Sequence, residues 1–358
     1  MPKGQGCIQQ YLANQQEPDT MKLMNIRQAT LAAVTLCLAS CSTMSGMHPN
    51  NPTNESFNRF YAELRKEAQR KGHDPKLLDQ AFDGNIAPIP QVLKSEQAQP
   101  EIVRTFAQYT GSMLSASRIE RGTANLKEHS EELNKAYERT GVPPSVIVAL
   151  WGIETRFGEV QGTHPIIPAL ATLAWQSPRS DYFRKETFAA LEVAKRTGKD
   201  PEKLLGSWAG AMGQCQFMPT SWLAYAQDGD GDGIADIWDN QADVFASAAN
   251  YLYKRGWQKG QPWRYQLASS FNDKGLELNS RGLSPIHPLS FWKARGFKEP
   301  SDITLPANTQ LRYYKPQAEG PSYLLGPNFS VILSWNNSSY FAWSVLSLAD
   351  TIEAEAIK

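Results

Sequence analysis

The spacing of apolar residues along most of the chain is that of amphipathic helices, and it predicts a mainly helical protein. Before residue 130 the pattern predicts helices within 56–72, 74–84 and 99–122, the first two ending near Gly. Further helices are expected at 125–140, 170–175, 182–196 and, near the end of the chain, 340–356.

After residue 257 the helical spacing gives way to short apolar–polar alternations separated by Pro and Gly. Alternations at 303–305, 310–314 and 330–334 predict strands. We therefore expect an α+β fold, mainly helical, with a small β subdomain at 283–334. The other expected units are a helical domain at 57–130, joined by the C-terminal helix 340–358, and a central core at 131–265.

One helix in the core combines a long apolar run with a single carboxylate. The stretch 141–158 reads GVPPSVIVALWGIETRFG, and the residues at 143–145 predict its start. Eight apolar positions follow, which predicts burial on nearly all sides. Glu154 then shares a helix face with Ile147, Leu150 and Trp151.

Poor hydration and the negative end of the helix dipole should raise the pKa of the Glu154 carboxyl. A carboxyl that is still protonated near neutral pH can act as a general acid. The alternative is a structural Glu paired with a buried Arg, although Arg156, two residues further on, faces elsewhere on a helix.

Composition narrows the classes of function. Lys plus Arg and Asp plus Glu number 36 each, so the net charge gives no reason to expect a nucleic acid partner. Ten Trp and thirteen Tyr supply many flat rings, which stack on sugars as well as in cores. The five His form no i, i+4 pair and adjoin no Ser or Cys motif, which disfavours a His-based hydrolase.

A second candidate segment, 207–222, reads SWAGAMGQCQFMPTSW. Gly at 206, 210 and 213 allows close approach of the backbone, and Gln214 and Gln216 supply amide groups. Small, amide and aromatic residues together are typical of a groove for an uncharged, hydroxyl-rich polymer. A tightly packed helix crossing also uses Gly and Ala and stays open as the alternative.

The segment 228–239, DGDGDGIADIWD, has the spacing of an EF-hand calcium loop. Asp228, Asp230 and Asp232 occupy positions 1, 3 and 5, and Ile234 offers its carbonyl at position 7. Asp239 stands at position 12, where a bidentate Glu is usual, and Asp243 is another candidate for the last ligand. We expect a structural calcium ion, with sodium or magnesium as competitors, and no organic cofactor.

The N-terminus reads as an export signal. Residues 1–40 contain basic residues followed by the apolar run 29–39, too short to span a bilayer, and we expect that 1–20 precede the true start. The run ends in Leu-Ala-Ser-Cys, which resembles a lipoprotein cleavage box, with Cys41 as the lipidated residue and 42–56 as a tether. A plain signal peptide with an incidental Cys is the alternative. Cys215 would then be the one Cys left unmodified, and a packed side chain is favoured over a nucleophile.

Together these segments resemble the lytic murein transglycosylase B family of bacterial cell-wall enzymes. The resemblance rests on GIETRFG at 152–158, on 207–219, on the Asp228 loop with Trp238, and on AANYL at 248–252. Residues 327–329 and Asn336 also fit, and the likeness runs from about residue 57 to the C-terminus.

The resemblance implies a lysozyme-like catalytic core with an EF-hand-like calcium loop, in which Glu154 is both acid and base. It implies cleavage of the β-1,4 bond between N-acetylmuramic acid and N-acetylglucosamine in peptidoglycan glycan strands without water, leaving 1,6-anhydromuramoyl ends. It also favours Asp243 over Asp239 as the last calcium ligand. The box at 38–41, followed by Ser42 rather than Asp, predicts lipid anchoring at the periplasmic side of the outer membrane. The groove residues implied are Ser207, Met212, Gln216, Phe217, Tyr251 and Tyr109.

Two departures from the family pattern concern the groove: Cys215 replaces a common Gly and Thr220 a usual Ser. The added side chain of Cys215 puts the shape of the groove in question. A hydrolytic glycosidase normally pairs two carboxylates, whereas near Glu154 the sequence offers only Glu159, past the helix end. A hydrolytic muramidase and a non-catalytic peptidoglycan-binding lipoprotein stay open as alternatives.

Overall fold

The structure, a computed structural model, describes residues 54–83, 87–97, 104–301 and 303–358. The signal segment, Cys41 and the tether up to residue 53 lie outside the described residues, as do positions 99–103 of one expected helix. Over the described ranges, every helix is too short or too polar to cross a bilayer.

Helices make up most of the described chain, as the sequence predicts. In chain order they are α1 (Asn54–Arg70), α2 (Pro75–Ala81), α3 (Pro90–Gln97), α4 (Phe106–Met113), α5 (Ala116–Glu128), α6 (Ser130–Thr140), α7 (Pro144–Thr155), α8 (Ile166–Gln176), α9 (Ser180–Thr197), α10 (Pro219–Tyr225), α11 (Gln241–Lys254), α12 (Leu289–Ala294), α13 (Pro327–Trp335) and α14 (Ser339–Ile357).

The strands are short and all of their pairings are antiparallel. They are β1 (His164–Pro165), β2 (Leu205–Gly206), β3 (Arg264–Gln266), β4 (His287–Pro288), β5 (Gln310–Tyr314) and β6 (Tyr323–Leu325). β1 pairs with β2 beside the core, and the other four form one sheet in the order β3-β6-β5-β4.

The helix α7 lies inside the main hydrophobic core. Its residues from Ser145 to Ile153 are all buried, and α5, α6, α11 and α14 pack against it. Pro144 occupies the first helical position, as the sequence predicts. The buried cluster around α7 is one spatial cluster, with members from Phe57 to Ile352. Because it contains residues from both sides of position 130, the domain boundary expected there stays a prediction.

A second, smaller core belongs to the C-terminal sheet. It contains Tyr265, Trp292, Leu311, Tyr313 and Leu324, among others. The expected β subdomain therefore has its own packing, and it also takes in β3, whose first two residues the sequence prediction assigned to the core unit.

Several expected elements differ in the structure. The strand expected at 330–334 is wrong, because this segment lies in α13: Pro327 starts the helix, and Phe329 and Ile332 are buried in the main core. Packing there overrides the strand preference of Val and Ile. The strand expected at 303–305 is also absent, and the Leu305 amide donates to Glu299 Oε1 at 2.8 Å instead.

The helix expected at 99–122 is two helices, because Ser115 caps a new one, α5. Asn125 lies within α5 and does not start the next helix, and α3 and α12 were not expected.

Candidate active site

Glu154 lies in the last turn of α7, where the chain reverses sharply. Arg156, Phe157 and Gly158 all have positive φ, at 54°, 61° and 85°. The Phe157 ring packs against Gly152, where a Cβ would lie 2.6 Å from ring carbons. This packing fixes the end of the helix and therefore the position of the Glu154 side chain.

The Glu154 carboxyl faces a small, mostly apolar cavity. Its neighbours there are Ile147, Leu150, Trp151, Val244, Ala248, Gln214, Cys215 and Trp335. The indole Nε1 of Trp335 donates to Glu154 Oε1 at 2.8 Å. Burial raises the pKa of the Glu154 carboxyl to about 8, and the Trp335 hydrogen bond opposes part of this rise. The group is therefore mostly protonated at neutral pH.

The cavity contains no second carboxylate among the residues that the structure describes. Glu159, the nearest acid along the sequence, is exposed, and Arg121 binds both of its oxygens at 2.8 and 3.3 Å. Within the described part of the chain, the site thus offers one carboxyl group for proton transfer and no second carboxylate to form a pair across a bond.

Trp335 is the main site residue that sequence reasoning missed. It is the last residue of α13, and its ring lies 5.3 Å from that of Phe217 and 4.8 Å from that of Tyr251, between centroids. Tyr251 in turn donates its hydroxyl to the carbonyl of Ser334 at 2.5 Å. A weak signal existed, since Trp335 directly precedes Asn336, which the resemblance singled out.

The loop at 206–217 packs tightly around the end of α7. Gln214 accepts from Trp151 Nε1 at 2.7 Å and donates to the carbonyl of Trp238 at 2.8 Å. It therefore joins α7 to the segment 228–239, called the Asp-rich loop below. Gly213 is needed for this contact because its φ is +61° and a Cβ would lie 2.6 Å from the carbonyl oxygen of Ile237.

Two of the expected groove residues act within the loop itself. Ser207 is buried, and its hydroxyl accepts from the backbone amides of Ala209 and Ala211 at 3.3 and 3.0 Å. Met212 is fully buried, and its backbone pairs with that of Phe217. Ser207 also borders a separate cleft of about 750 Å³ together with Gln161 and Trp238.

Gln216 combines backbone strain with an unused acceptor. Its φ is +51°, a region that costs energy for a residue other than Gly. Its amide nitrogen donates to the carbonyls of Gln161 and Gly213 at 3.0 and 2.8 Å. Its buried Oε1 accepts no hydrogen bond from the described protein atoms, which is an unusual state for a buried oxygen.

Tyr109 lies apart from the carboxyl cavity. It is buried in α4, and its ring packs 5.9 Å from that of Tyr340 in the first turn of α14. Tyr340 follows Trp335, the hydrogen-bond partner of Glu154, by five residues. Tyr109 is therefore connected to Glu154 indirectly, through the segment that joins α13 to α14.

Cys215 does not enlarge the loop toward solvent. Its side chain is buried against α11, and its thiol donates to the carbonyl of Val244 at 3.4 Å. Burial raises the pKa of the thiol well above its usual range, so it is protonated and a poor nucleophile. The structure therefore agrees with a packed role for this residue.

The Asp-rich loop brings three carboxylates together. One oxygen each from Asp228, Asp230 and Asp232 lies within 4.8 Å of the others. Two ligands on opposite sides of Ca²⁺ are about 4.8 Å apart, so this spacing fits such an ion. The two oxygens of Asp228 accept from the amides of Gly231 and Gly233, at 2.6 and 2.8 Å, which tightens the turn.

Asp243 and Asp239 occupy different surroundings. Asp243 is buried and accepts from the amides of Gly229 and Asp236 at 2.7 and 2.6 Å, so it closes the loop. Burial, together with the nearby charges of Asp230 and Asp228, raises the pKa of Asp243 to about 6. The Asp239 side chain is 79% exposed, its Oδ2 lies 3.4 Å from Lys199 Nζ, and it is not a member of the three-carboxylate cluster. Ile234, the expected carbonyl ligand, lies in the exposed turn.

The chain is similar in sequence and in structure to known transglycosylases. The family model described as a transglycosylase SLT domain matches residues 56–350. The chain is 31% identical over 328 residues to membrane-bound lytic murein transglycosylase B of Escherichia coli (strain K12), covering 86% of this chain and 85% of that protein.

Two solved structures are also similar. SltB3 from Pseudomonas aeruginosa, in complex with NAG-NAM-pentapeptide, is 35% identical with a TM-score of 0.76, over 84% of this chain and 80% of that one. The Escherichia coli lytic transglycosylase Slt35 in complex with calcium is 29% identical with a TM-score of 0.74, over 84% and 94% of the two chains. The family model matches residues 56–350, which is most of this chain. This match shows that the chain belongs to the transglycosylase SLT domain family.

Proposed function

We propose that this protein is a lytic transglycosylase that cleaves the β-1,4 bond between N-acetylmuramic acid and N-acetylglucosamine in peptidoglycan. The observation that carries the proposal is a single carboxyl group, Glu154, in an apolar cavity that keeps it protonated. Family membership and the cell-wall relatives support the same substrate.

Glu154 performs both proton transfers in this proposal. It first protonates the glycosidic oxygen, and the bond to the muramic acid anomeric carbon breaks as the N-acetylglucosamine end leaves with its new hydroxyl. The Glu154 carboxylate then takes the proton from the C6 hydroxyl of the same muramic acid, whose oxygen closes on the anomeric carbon. Attack within one sugar gains from proximity and needs no bound water.

Gln216 and the aromatic cluster are the groove residues that the geometry favours for sugar contact. The unpaired Oε1 of Gln216 can accept from a sugar hydroxyl or an N-acetyl amide, and that bond would relieve the cost of burying it. Phe217, Tyr251 and Trp335 form one buried aromatic cluster beside Glu154, and we propose that the edge of this cluster contacts the apolar face of a sugar. Ser207 and Met212 stabilise the loop at 206–217 from its interior, and Tyr109 packs against Tyr340 at the start of α14.

Product analysis tests the reaction class. Incubation of the protein with purified cell walls, followed by mass spectrometry, should give muropeptides with 1,6-anhydro ends, each lighter by one water than the reducing product. Reducing ends alone would identify a hydrolytic muramidase. Binding to the walls without any product would identify a non-catalytic protein.

We also propose that the Asp-rich loop binds calcium and that the ion stabilises the fold without taking part in the chemistry. Asp228, Asp230 and Asp232 supply clustered oxygens, and the buried carboxylate of Asp243 is better placed to complete the site than Asp239. Gln214, in the loop at 206–217, donates to the carbonyl of Trp238 in the Asp-rich loop. A rigid Asp-rich loop would therefore also hold the loop at 206–217 in place.

Calcium is expected to raise the melting temperature of the protein. An ion that binds only the folded state adds about 2.7 kcal/mol at a hundredfold excess over its Kd. Asp228→Asn should reduce this gain, whereas Asp239→Asn, at an exposed position paired with Lys199, should keep it. Differential scanning calorimetry in EDTA and in millimolar calcium measures both. Identical melting curves in the two conditions would refute the calcium site.

A place in the bacterial cell envelope follows from the substrate and from the membrane-bound relative. We propose that Cys41 carries the lipid that anchors the chain to the outer membrane, facing the periplasm. Several acyl chains on one Cys would hold firmly, whereas a single chain holds only marginally. Cys41→Ser should move the protein into the soluble periplasmic fraction on cell fractionation, with Cys215→Ser as the control that stays with membranes. A Cys41→Ser protein that still sediments with membranes would contradict the anchor.

A further inference from the structure

A polar cleft separates the β subdomain from the start of α14, outside the Glu154 cavity. It has a volume of about 440 Å³. Residues from the two sides of the cleft include Arg281, Tyr314, Lys315, Asn337, Ser339 and Tyr340.

The cleft carries positive charge that the described protein does not neutralise. Arg281 and Lys315 line it, and no acidic residue is among the lining residues. Neither cation forms an ion pair with a described carboxylate, and Arg281 uses one Nη1 bond, at 3.1 Å, on the carbonyl of Asn337. In the cleft beside Ser207, by contrast, Lys199 pairs with Asp236 and Asp239.

Arg312 lines a neighbouring pocket and interacts electrostatically with Arg281 of this cleft. Burial and the charge of Arg281 lower the pKa of its guanidinium, which places the two cations within electrostatic reach of each other. Its buried Nε donates no hydrogen bond to described protein atoms. Like charges that interact without an anion nearby are unfavourable, so an anion bound at Arg281 would stabilise this arrangement.

Tyr314 supplies an independent indication of a ligand. The residue is 1% exposed and lines the cleft. Its hydroxyl makes no hydrogen bond of good geometry, although the Ser339 side chain lies beside it. Buried hydroxyls are normally paired, so this group is available to a polar ligand that enters between Arg281 and Lys315.

The cleft is close to the reacting carboxyl. Asn337 follows Trp335, the hydrogen-bond partner of Glu154, by two residues, so their Cα atoms are at most about 7.6 Å apart. Tyr340, on the rim, packs against Tyr109. With the Trp335 side chain and its hydrogen bond included, Asn337 lies within about 16 Å of the Glu154 carboxyl, and an extended peptide of about five residues spans that distance.

We propose that this cleft binds the peptide stem of peptidoglycan through a peptide carboxylate. The inference rests on the proposed function, since it takes the glycan strand to lie at Glu154. The sugars of the strand carry no charge, whereas the peptide on the lactyl group of muramic acid carries carboxylates. Arg281 and Lys315 neutralise such a carboxylate, and the Tyr314 hydroxyl donates to it or to a peptide carbonyl.

The test compares two substrates that differ only in the peptide. One is soluble glycan strands with intact stems, and the other is the same strands after an amidase has removed the stems. Wild type should show a lower KM for the strands with stems. Lys315→Gln and the double variant Arg281→Gln/Lys315→Gln should raise that KM by about three- to tenfold, a typical loss for a charge-assisted contact, and leave kcat unchanged. Both should leave the KM for bare strands unchanged.

Lys298→Gln, at an exposed lysine of the same subdomain, is the matched control and should behave as wild type. The single Lys315→Gln variant covers the case in which loss of the Arg281 bond to Asn337 unfolds the double variant. Equal KM values for the two substrates in wild type, or equal effects of the variants on both, would overturn the inference while leaving the transglycosylase activity intact. Failure to cleave either substrate would instead overturn the proposed function and, with it, this inference.

Discussion

Replacement of Glu154 by Gln is expected to abolish the release of anhydromuropeptides from purified peptidoglycan. Gln keeps the shape of the side chain and can still accept from Trp335, but it cannot give or take a proton. One positioned proton transfer contributes typically about 10²–10⁴-fold to a rate. In the proposed mechanism Glu154 serves two such steps, and no second carboxylate lines its cavity among the described residues. The loss should therefore be about 10⁴-fold or more.

Quantification of anhydromuropeptides by liquid chromatography and mass spectrometry measures this loss. The matched control is Glu159→Gln, which changes an exposed acid near the end of the same helix and should keep most of the activity. The Glu154→Gln protein should still sediment with cell walls, since its groove is intact. Activity within about tenfold of wild type would mean that another group transfers the proton, and the mechanism would have to be abandoned.

The same substitution should stabilise the folded protein at neutral and alkaline pH. The folded pKa of Glu154, about 8, lies above its ordinary value of 4.5. Below pH 4.5 the carboxyl is neutral in both the folded and the unfolded chain, and it imposes no penalty. As the pH rises from 4.5 to 8, the unfolded chain releases this proton while the folded chain keeps it, so the wild type loses stability.

Glu154→Gln removes this loss because an amide does not titrate. The expected gain in the free energy of unfolding is about 2–4 kcal/mol at pH 8 and close to zero at pH 4. Thermal or urea unfolding of both proteins across this pH range measures the difference, in which the other titrating groups cancel. Glu159→Gln, at a surface carboxylate, should show no such growing gain. A constant difference between Glu154→Gln and wild type at all pH values would show that the Glu154 pKa is not raised.

The features that the sequence determined by itself are those with local causes. The Pro residues at 143–144 start α7, an unbroken apolar run buries it, and the carboxylate at position 154 interrupts that run on a face shared with Leu150 and Trp151. The raised pKa follows from these neighbours. In the same way, Asp228, Asp230 and Asp232 alternate at a spacing that places their oxygens together, whatever the rest of the fold does.

The tertiary structure decided what depends on segments far apart in the chain. Trp335 lies 181 positions from Glu154 and meets it only because α13 packs into the main core, and the same packing makes 330–334 helical against its strand preference. Asp243 closes the Asp-rich loop because burial brings it to the amides of Gly229 and Asp236. Likewise, Arg281 and Lys315 share a cleft because Leu283 and Tyr314, which are 31 positions apart, pair as an antiparallel β-bridge. Local spacing cannot encode such contacts, since they depend on which buried surfaces fit together.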